Sequence, residues 1–179
     1  MIVFINGAFG VGKTTVALRL LERIAPSLLY DPEEIGFAVP AILRHVAPVD
    51  DFQDYAEWRA LTIDAARQIR AHRDHAQLMP MTVLRHDYFT EITNGLRAID
   101  ADLRLLRLTA SEATLRDRIL ARPEAEGPHD WALSHLSAAL EAMADPRFGA
   151  EVKTDARTPT EVVDLAVAAI EHQFHGRLL

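Results

Sequence analysis

The sequence contains no cysteine, which removes disulfides, thiolate metal ligands and thiol nucleophiles from consideration. It contains no apolar run long enough to span a bilayer. The apolar start, Met1 to Ile5, lacks a basic leader and runs straight into a glycine loop, so it reads as a buried strand rather than a signal segment. Positive charge is in deficit. The 19 basic residues face 26 acidic ones, for a formal charge of -7, which argues against a general nucleic-acid or anionic-membrane surface. Lysine is scarcer still, since Lys13 and Lys153 are the only two. Neither a DxxG segment nor an NKxD-type base reader is present, which excludes a GTPase switch. No repeat, low-complexity tract or linker interrupts the 179 residues. The expectation is one cytoplasmic domain spanning 1–179, without stable membrane insertion and without a nucleic-acid partner.

What is present alternates short apolar strands with longer amphipathic stretches, the pattern of an α/β domain with a parallel sheet. Strands are expected at Ile2–Ile5, Ser27–Tyr30, Gln77–Leu84, Leu103–Leu108 and about Ala150–Thr154. Pro80 suggests an irregular or terminal place for the third strand. Helices are expected from Lys13 to about Ile24, from Pro32 to about Val46 and over Ala56–Arg73. Four more are expected over Tyr88–Ile99, from the N-cap Ser111 to Arg122, over Trp131–Ala144 and from Pro159, with Val162, Val163, Ala166, Ile170 and Phe174 inward.

The strongest signal is Gly7-Ala-Phe-Gly10-Val11-Gly12-Lys13-Thr14, a match to GxxxxGK[ST] between a strand and a helix. The glycines permit close backbone approach, and the loop N–H groups with those of the helix start, through Thr15, surround phosphates. Lys13 brings a compact ammonium to the β- and γ-phosphates, and the Thr14 hydroxyl is the candidate magnesium ligand. A chain so biased to arginine places one of its two lysines where a guanidinium would be too wide. ATP and Mg2+ are therefore expected.

A motor or transporter ATPase would need a third strand ending in Asp, and Asp87 comes only later. The small-molecule kinase group remains, in a three-layer sandwich like that of the nucleoside-monophosphate kinases, with a helical lid at about 118–135 and an acceptor region at about 32–75. Asp31 ends the second strand and is the candidate to accept the proton of an acceptor hydroxyl. An Asp that merely caps the following helix explains it too. Arg118 and Arg122, four apart before the break at Pro123, Gly127 and Pro128, are candidate lid arginines on one helix face. Thr154 to Pro159, with Arg157, is the candidate adenine-side loop.

Four blocks carry a family resemblance: INGAFGVGKT from Ile5, YDPEEIGFA from Tyr30, DDFQDYAEWRA from Asp50 and PMTVLRHDYFTEI from Pro80. With the spacing around Leu115, Arg118, Arg122 and Trp131, the chain resembles the tunicamycin-resistance ATP-binding proteins, relatives of chloramphenicol phosphotransferase and of shikimate and gluconate kinases. That resemblance implies a five-stranded parallel sheet of order 2-3-1-4-5, MgATP, and phosphorylation of a nucleoside antibiotic; a sugar-like metabolite is the alternative acceptor, and sequestration without turnover the alternative mode. It also implies that Asp51 to Arg59 line the acceptor pocket, with Phe52, Tyr55 and Trp58 offering ring faces and Arg59 gripping a polar group. Packing of those rings onto the sheet is the competing explanation. Glu34 and Thr82 complete the acceptor-side candidates. His172, His175 and Arg177 do not make a basic face, so the membrane-touching tail of some family members is not expected here.

Overall fold

The computed structural model describes residues 1–123 and 129–175, the side chains of 174 and 175 excepted. Its centre is β1 (Ile2–Gly7), six residues with no access to solvent over Ile2–Asn6. An apolar strand buried on both faces belongs in the middle of a parallel sheet. β1 pairs with β3 (Ala76–Met81) on one side and with β4 (Leu103–Thr109) on the other. β2 (Ser27–Leu29) and β5 (Ala150–Lys153) close the edges, giving the order β2-β3-β1-β4-β5, all parallel.

The crossovers are helical. α1 (Lys13–Arg23) packs on α8 (Pro159–His175), and α3 (Ala56–His72) on α4 (His86–Ile99). α2 (Glu33–Leu43) and a 3-10 turn at Phe52–Asp54 join β2 to α3. α5 (Glu112–Ala121), α6 (His129–Ser134) and α7 (Leu136–Met143) lie between β4 and β5.

Three departures from the sequence expectation have local causes. Pro80 lies in a central strand rather than at an edge or end. The Gln77 amide donates to Met1 and the Tyr30 amide to the Leu78 carbonyl, so alternate residues face β1 and β2. Pro80 shares Leu78's parity and faces the β2 side after β2 has ended, where no ladder bond is lost. β3 also stops at Met81 because Thr82 and Val83 turn to β1: the Thr82 hydroxyl donates to the Gly7 carbonyl at 3.0 Å, and the Val83 amide to Asn6 Oδ1 at 2.9 Å. The helix expected over Trp131–Ala144 is broken at His135. The Trp131 carbonyl accepts from the Ser134 hydroxyl at 2.8 Å and from the His135 amide at 3.3 Å, and His135 Nδ1 lies 2.8 Å away. Side-chain bonds of this kind compete with the helical ladder.

Trp58 on α3 is wholly buried, and its indole N–H donates to the Pro32 carbonyl at 3.0 Å. It clamps the start of α2, and so the residue before it, Asp31, onto the domain. Trp58→Ala should cost about 3–5 kcal/mol of unfolding free energy, the usual scale for deleting a buried aromatic. Urea unfolding measures this; a loss below about 1 kcal/mol would show that α2 is held by other contacts.

Candidate functional site

Ligands of open parallel sheets collect at the carboxyl ends of the strands, at the switch in strand order. Here β1 delivers its glycine loop to that edge. Gly10 and Gly12 take left-handed conformations, φ 75° and 97°. Gly10 also lies where α5 passes, since a Cβ there would be 3.0 Å from Ile119 Cγ1 and 3.2 Å from the Leu115 carbonyl. At Gly12 a Cβ would meet nothing within 4 Å, so the loop leaves open space on that side. Gly12 starts α1 with no side-chain cap, and no acidic residue occupies the first turn. The helix N–H groups and dipole are thus left to an outside anion.

Lys13 turns back into this loop. Its ammonium donates to the Gly7 and Ala8 carbonyls at 3.1 Å each. Burial lowers its pKa to about 8, against the opposing pull of the Glu33 and Asp31 carboxylates. The Thr14 and Thr15 side chains are exposed at the helix start. An inward cation, open N–H groups and exposed hydroxyls fit a polyphosphate with magnesium. Among the described residues, no group of three or more His, Asp or Glu side chains is arranged to hold a metal unaided. Magnesium commonly takes one or two protein oxygens and completes its shell with phosphates and water, and Thr14, Asp31 and Glu33 supply oxygen donors for that.

Asp31 follows β2 and reaches the same edge. Its Oδ1 accepts the Glu33 amide at 2.9 Å, so the helix-start role is real. Burial raises its pKa; the Glu33 amide and Lys13 oppose that, while Glu34 adds to it. Glu33 is half-buried, with a pKa raised first by burial and held back by Lys13 and Arg122. Lys13, Asp31, Glu33 and Arg122 therefore form one electrostatic cluster. Glu34, the acceptor-side candidate, is exposed. Helical phase separates the two: Glu33 lies three residues from buried Gly36, whereas Glu34 shares its face with exposed Phe37, Ala38 and Ala41.

The two candidate lid arginines part company. Arg118 donates to the Thr154 hydroxyl at 2.8 Å and carbonyl at 3.0 Å, and to the Val11 carbonyl at 3.4 Å. It joins the tip of the glycine loop to the loop after β5. Arg122 is the C-cap of α5, where a ψ of 152° turns the chain that follows out of the helix, and its charge is felt by Lys13 and Glu33. Its carbonyl accepts from His129 Nε2 at 2.9 Å. Residues 124–128 of the expected lid, with Gly127 and Pro128, lie outside the described residues. Arg157 is exposed and donates to the Lys153 and Asp155 carbonyls of the β5–α8 loop. Asp155 fastens that loop to the start of α5 by accepting from Ser111 and Thr114 at 2.8 Å.

On the acceptor side the structure favours packing for most of the aromatic block. Trp58 is wholly buried and Tyr55 nearly so, its hydroxyl on the Ala47 carbonyl at 2.7 Å. Phe52 is half-buried, edge-on to Trp58 with centroids 5.1 Å apart. Arg59 bonds Glu91 and the Gln53 carbonyl and lies over the Tyr88 ring at 4.1 Å. Thr82 is buried, its hydroxyl on Gly7 and its carbonyl receiving Gln53 at 2.9 Å. A cavity of about 320 Å³ lies apart from the cluster, beneath α7, bounded by Arg107, Thr109, Met143 and Glu151 and meeting the loop only at Ala8.

The site stores electrostatic cost, which is testable without ligand. A carboxylate whose folded pKa is raised destabilises the fold above that pKa, and the cost vanishes once pH falls below its unfolded value. Asp31→Asn keeps the oxygen that accepts the Glu33 amide and removes the charge. The ligand-free variant should melt above wild type at pH 7, with the gap closing in acid below the ordinary aspartate pKa. A lower melting temperature at pH 7 would show that Asp31 stabilises the fold.

A family profile described as an AAA domain matches residues 2–146. No curated protein matches the chain. Among solved structures, the tunicamycin resistance protein of Deinococcus radiodurans superposes with a TM-score of 0.73 at 21% identity, over 95% of each chain. A gluconokinase from Sinorhizobium meliloti 1021 gives a TM-score of 0.67 at 20% identity, over 99% of this chain and 94% of that one. The shikimate kinase of Aquifex aeolicus vf5 gives 0.54 at 16% identity, over 98% and 99%. At such identities these likenesses speak for the fold, the five-stranded P-loop kinase sheet expected from the sequence blocks. By the match over four-fifths of its length, the chain belongs to the AAA-domain family of P-loop proteins.

Proposed function

We propose that this protein is an ATP-dependent phosphotransferase acting on a hydroxyl of a small molecule, and that the acceptor is a nucleoside antibiotic of the tunicamycin type. The observation that carries the reading is the cluster of Lys13, Asp31, Glu33 and Arg122 at the carboxyl ends of β1 and β2. A fixed cation inside a glycine loop suits the β- and γ-phosphates. Two desolvated carboxylates beside it suit a hydroxyl that must lose a proton. The solved structures of similar fold named above include two kinases of small hydroxylated metabolites and one resistance protein, which supports the reaction class by analogy.

In this reading Lys13 and the α1 amides hold and orient the phosphates, and Arg122 meets the negative charge that grows on the moving phosphoryl group. Asp31 points the acceptor oxygen in line and takes its proton as the new O–P bond forms and the bond from the γ-phosphorus to the departing ADP oxygen breaks. Its raised pKa brings it closer to the neutral range in which a general base works best. Magnesium would be held by Thr14 and the carboxylates and would offset phosphate charge.

Mass spectrometry of tunicamycin and of gluconate, each incubated with protein and MgATP, tests this. A gain of one phosphate on tunicamycin is expected. Phosphate on gluconate alone would keep the enzyme and change the acceptor. Tight binding of unchanged drug would replace catalysis with sequestration. Asp31→Asn, verified as folded by its melt, should bind MgATP and lose transfer by about 10²-fold or more; full transfer would move the base to Glu33.

A further inference from the structure

We propose that the acceptor is gripped through a flat, π-rich ring stacked on the exposed face of Trp131, so that the site takes a nucleoside or aryl glycoside rather than a ringless polyol. This rests on the phosphotransfer reading and names the substrate class of the same cleft.

The two tryptophans of the chain are used in opposite ways. Trp58 is wholly buried, whereas Trp131 is 45% exposed. Exposure of a large aromatic ring is informative when the ring is also held still. The Trp131 ring has two aromatic neighbours, and its backbone is fixed by hydrogen bonds. Its ring stacks on His135 with centroids 4.4 Å apart and planes 29° apart. Phe9, inside the glycine loop, meets it edge-on at 5.0 Å. Its carbonyl is the acceptor for Ser134 and His135 described above, the same bonds that break the helix. The result is a rigid half-open aromatic platform directly beside the phosphate loop.

α6, which carries Trp131, runs from the phosphate side toward the acceptor-side turn. α6 begins where His129 bonds the Arg122 carbonyl at 2.9 Å. Its far end brings His135 within electrostatic range of Asp51. The Asp51 turn is itself tied to the loop, through Gln53 to the Thr82 carbonyl and Thr82 to the Gly7 carbonyl. Trp131 therefore lies between the phosphate-side arginine and the acceptor-side turn. Within the acceptor segment Gln53, Asp54, Tyr55 and Arg59 all bond inside the protein, so most of the polar set that would read a polyol is taken up, with Asp50 and Glu57 exposed. Ring stacking is tolerant of ring identity and needs no such set. Asp51, whose Oδ1 accepts the Gln53 amide at 2.9 Å, has a second carboxylate oxygen that would accept a ring N–H.

Tryptophan emission reads this directly. With magnesium and a non-hydrolysable ATP analogue saturating, uridine and phenyl β-D-glucopyranoside should each quench the exposed component, and gluconate should not. Trp131→Leu should remove that component and weaken uridine binding, followed by calorimetry, about tenfold or more, the scale of one lost stacking contact. Trp131→Phe, which keeps a ring, should recover most of the affinity, and this separates stacking from a general disturbance of α6. Quenching by gluconate, quenching by neither ring compound, full quenching by the ATP analogue alone, or uridine affinity unchanged in Trp131→Leu would each overturn the proposal. Ring-dependent quenching without phosphate transfer to any acceptor would sink the phosphotransfer reading and keep the ring site. Phosphate transfer to gluconate with no quenching by ring compounds would do the reverse.

Discussion

The desolvated ammonium of Lys13 is the constraint around which the site is arranged. Its ordinary partner in a resting protein would be water or a carboxylate. Here two loop carbonyls take it at 3.1 Å, and burial brings its pKa down to about 8. Neutral oxygens satisfy its donors without neutralising its charge, so the loop keeps an unmet demand for an anion. The bare helix start at Gly12 makes the same demand from the backbone. Asp31 and Glu33 are close enough to soften the cost electrostatically, yet they are themselves penalised by burial. The cluster is internally strained by charge, and on the proposed reading a polyphosphate with magnesium would relieve that strain, coupling affinity to the instability of the empty site.

The scaffold holds that strain by fixing the backbone on either side of it. Asn6 is the central knot. Its side chain accepts the Gly7 and Val83 amides and donates to the Val83 carbonyl, all at 2.9 Å. Thr82 and Gln53 extend the same network to the acceptor-side turn. Arg118 does the equivalent on the opposite side, bridging Val11 and Thr154. The loop is thus tied to β3, α5 and the β5–α8 loop, and the glycines supply conformation rather than slack.

Much of this was legible before any coordinates. The strand-loop-helix context of the glycine motif located Lys13 and Thr14, and the alternation of apolar strands with amphipathic helices implied the parallel sheet. Asp31 was legible from its place at a strand end. What escaped was decided by side-chain partners that spacing does not reveal. Arg118 and Arg122 are four apart, but Arg118 is taken up by Val11 and Thr154 while Arg122 acts on Lys13 and Glu33. Phe52, Tyr55 and Trp58 have the composition of a ring-binding block, yet tertiary burial claims two of them outright. Glu33 parts from Glu34 because α2 buries Gly36 and exposes Phe37, the reverse of what their hydrophobicity suggests. The setting of Trp131 depends on its contacts with Phe9 and His135, one of them more than a hundred residues distant in sequence.

Because Lys13 and Lys153 are the only lysines, the central claim has a direct readout. In protein labelled with 15N at the lysine side chains, two ammonium resonances report the whole population, with Lys13→Arg assigning them. The Lys13 signal should titrate near pH 8 in the free protein, and MgATP, or its non-hydrolysable analogue, should move that titration up by about two pH units or more as phosphate charge replaces carbonyl contacts. A Lys13 titration that stays where it is when nucleotide is added would contradict the claim that this ammonium is held in waiting for a polyphosphate.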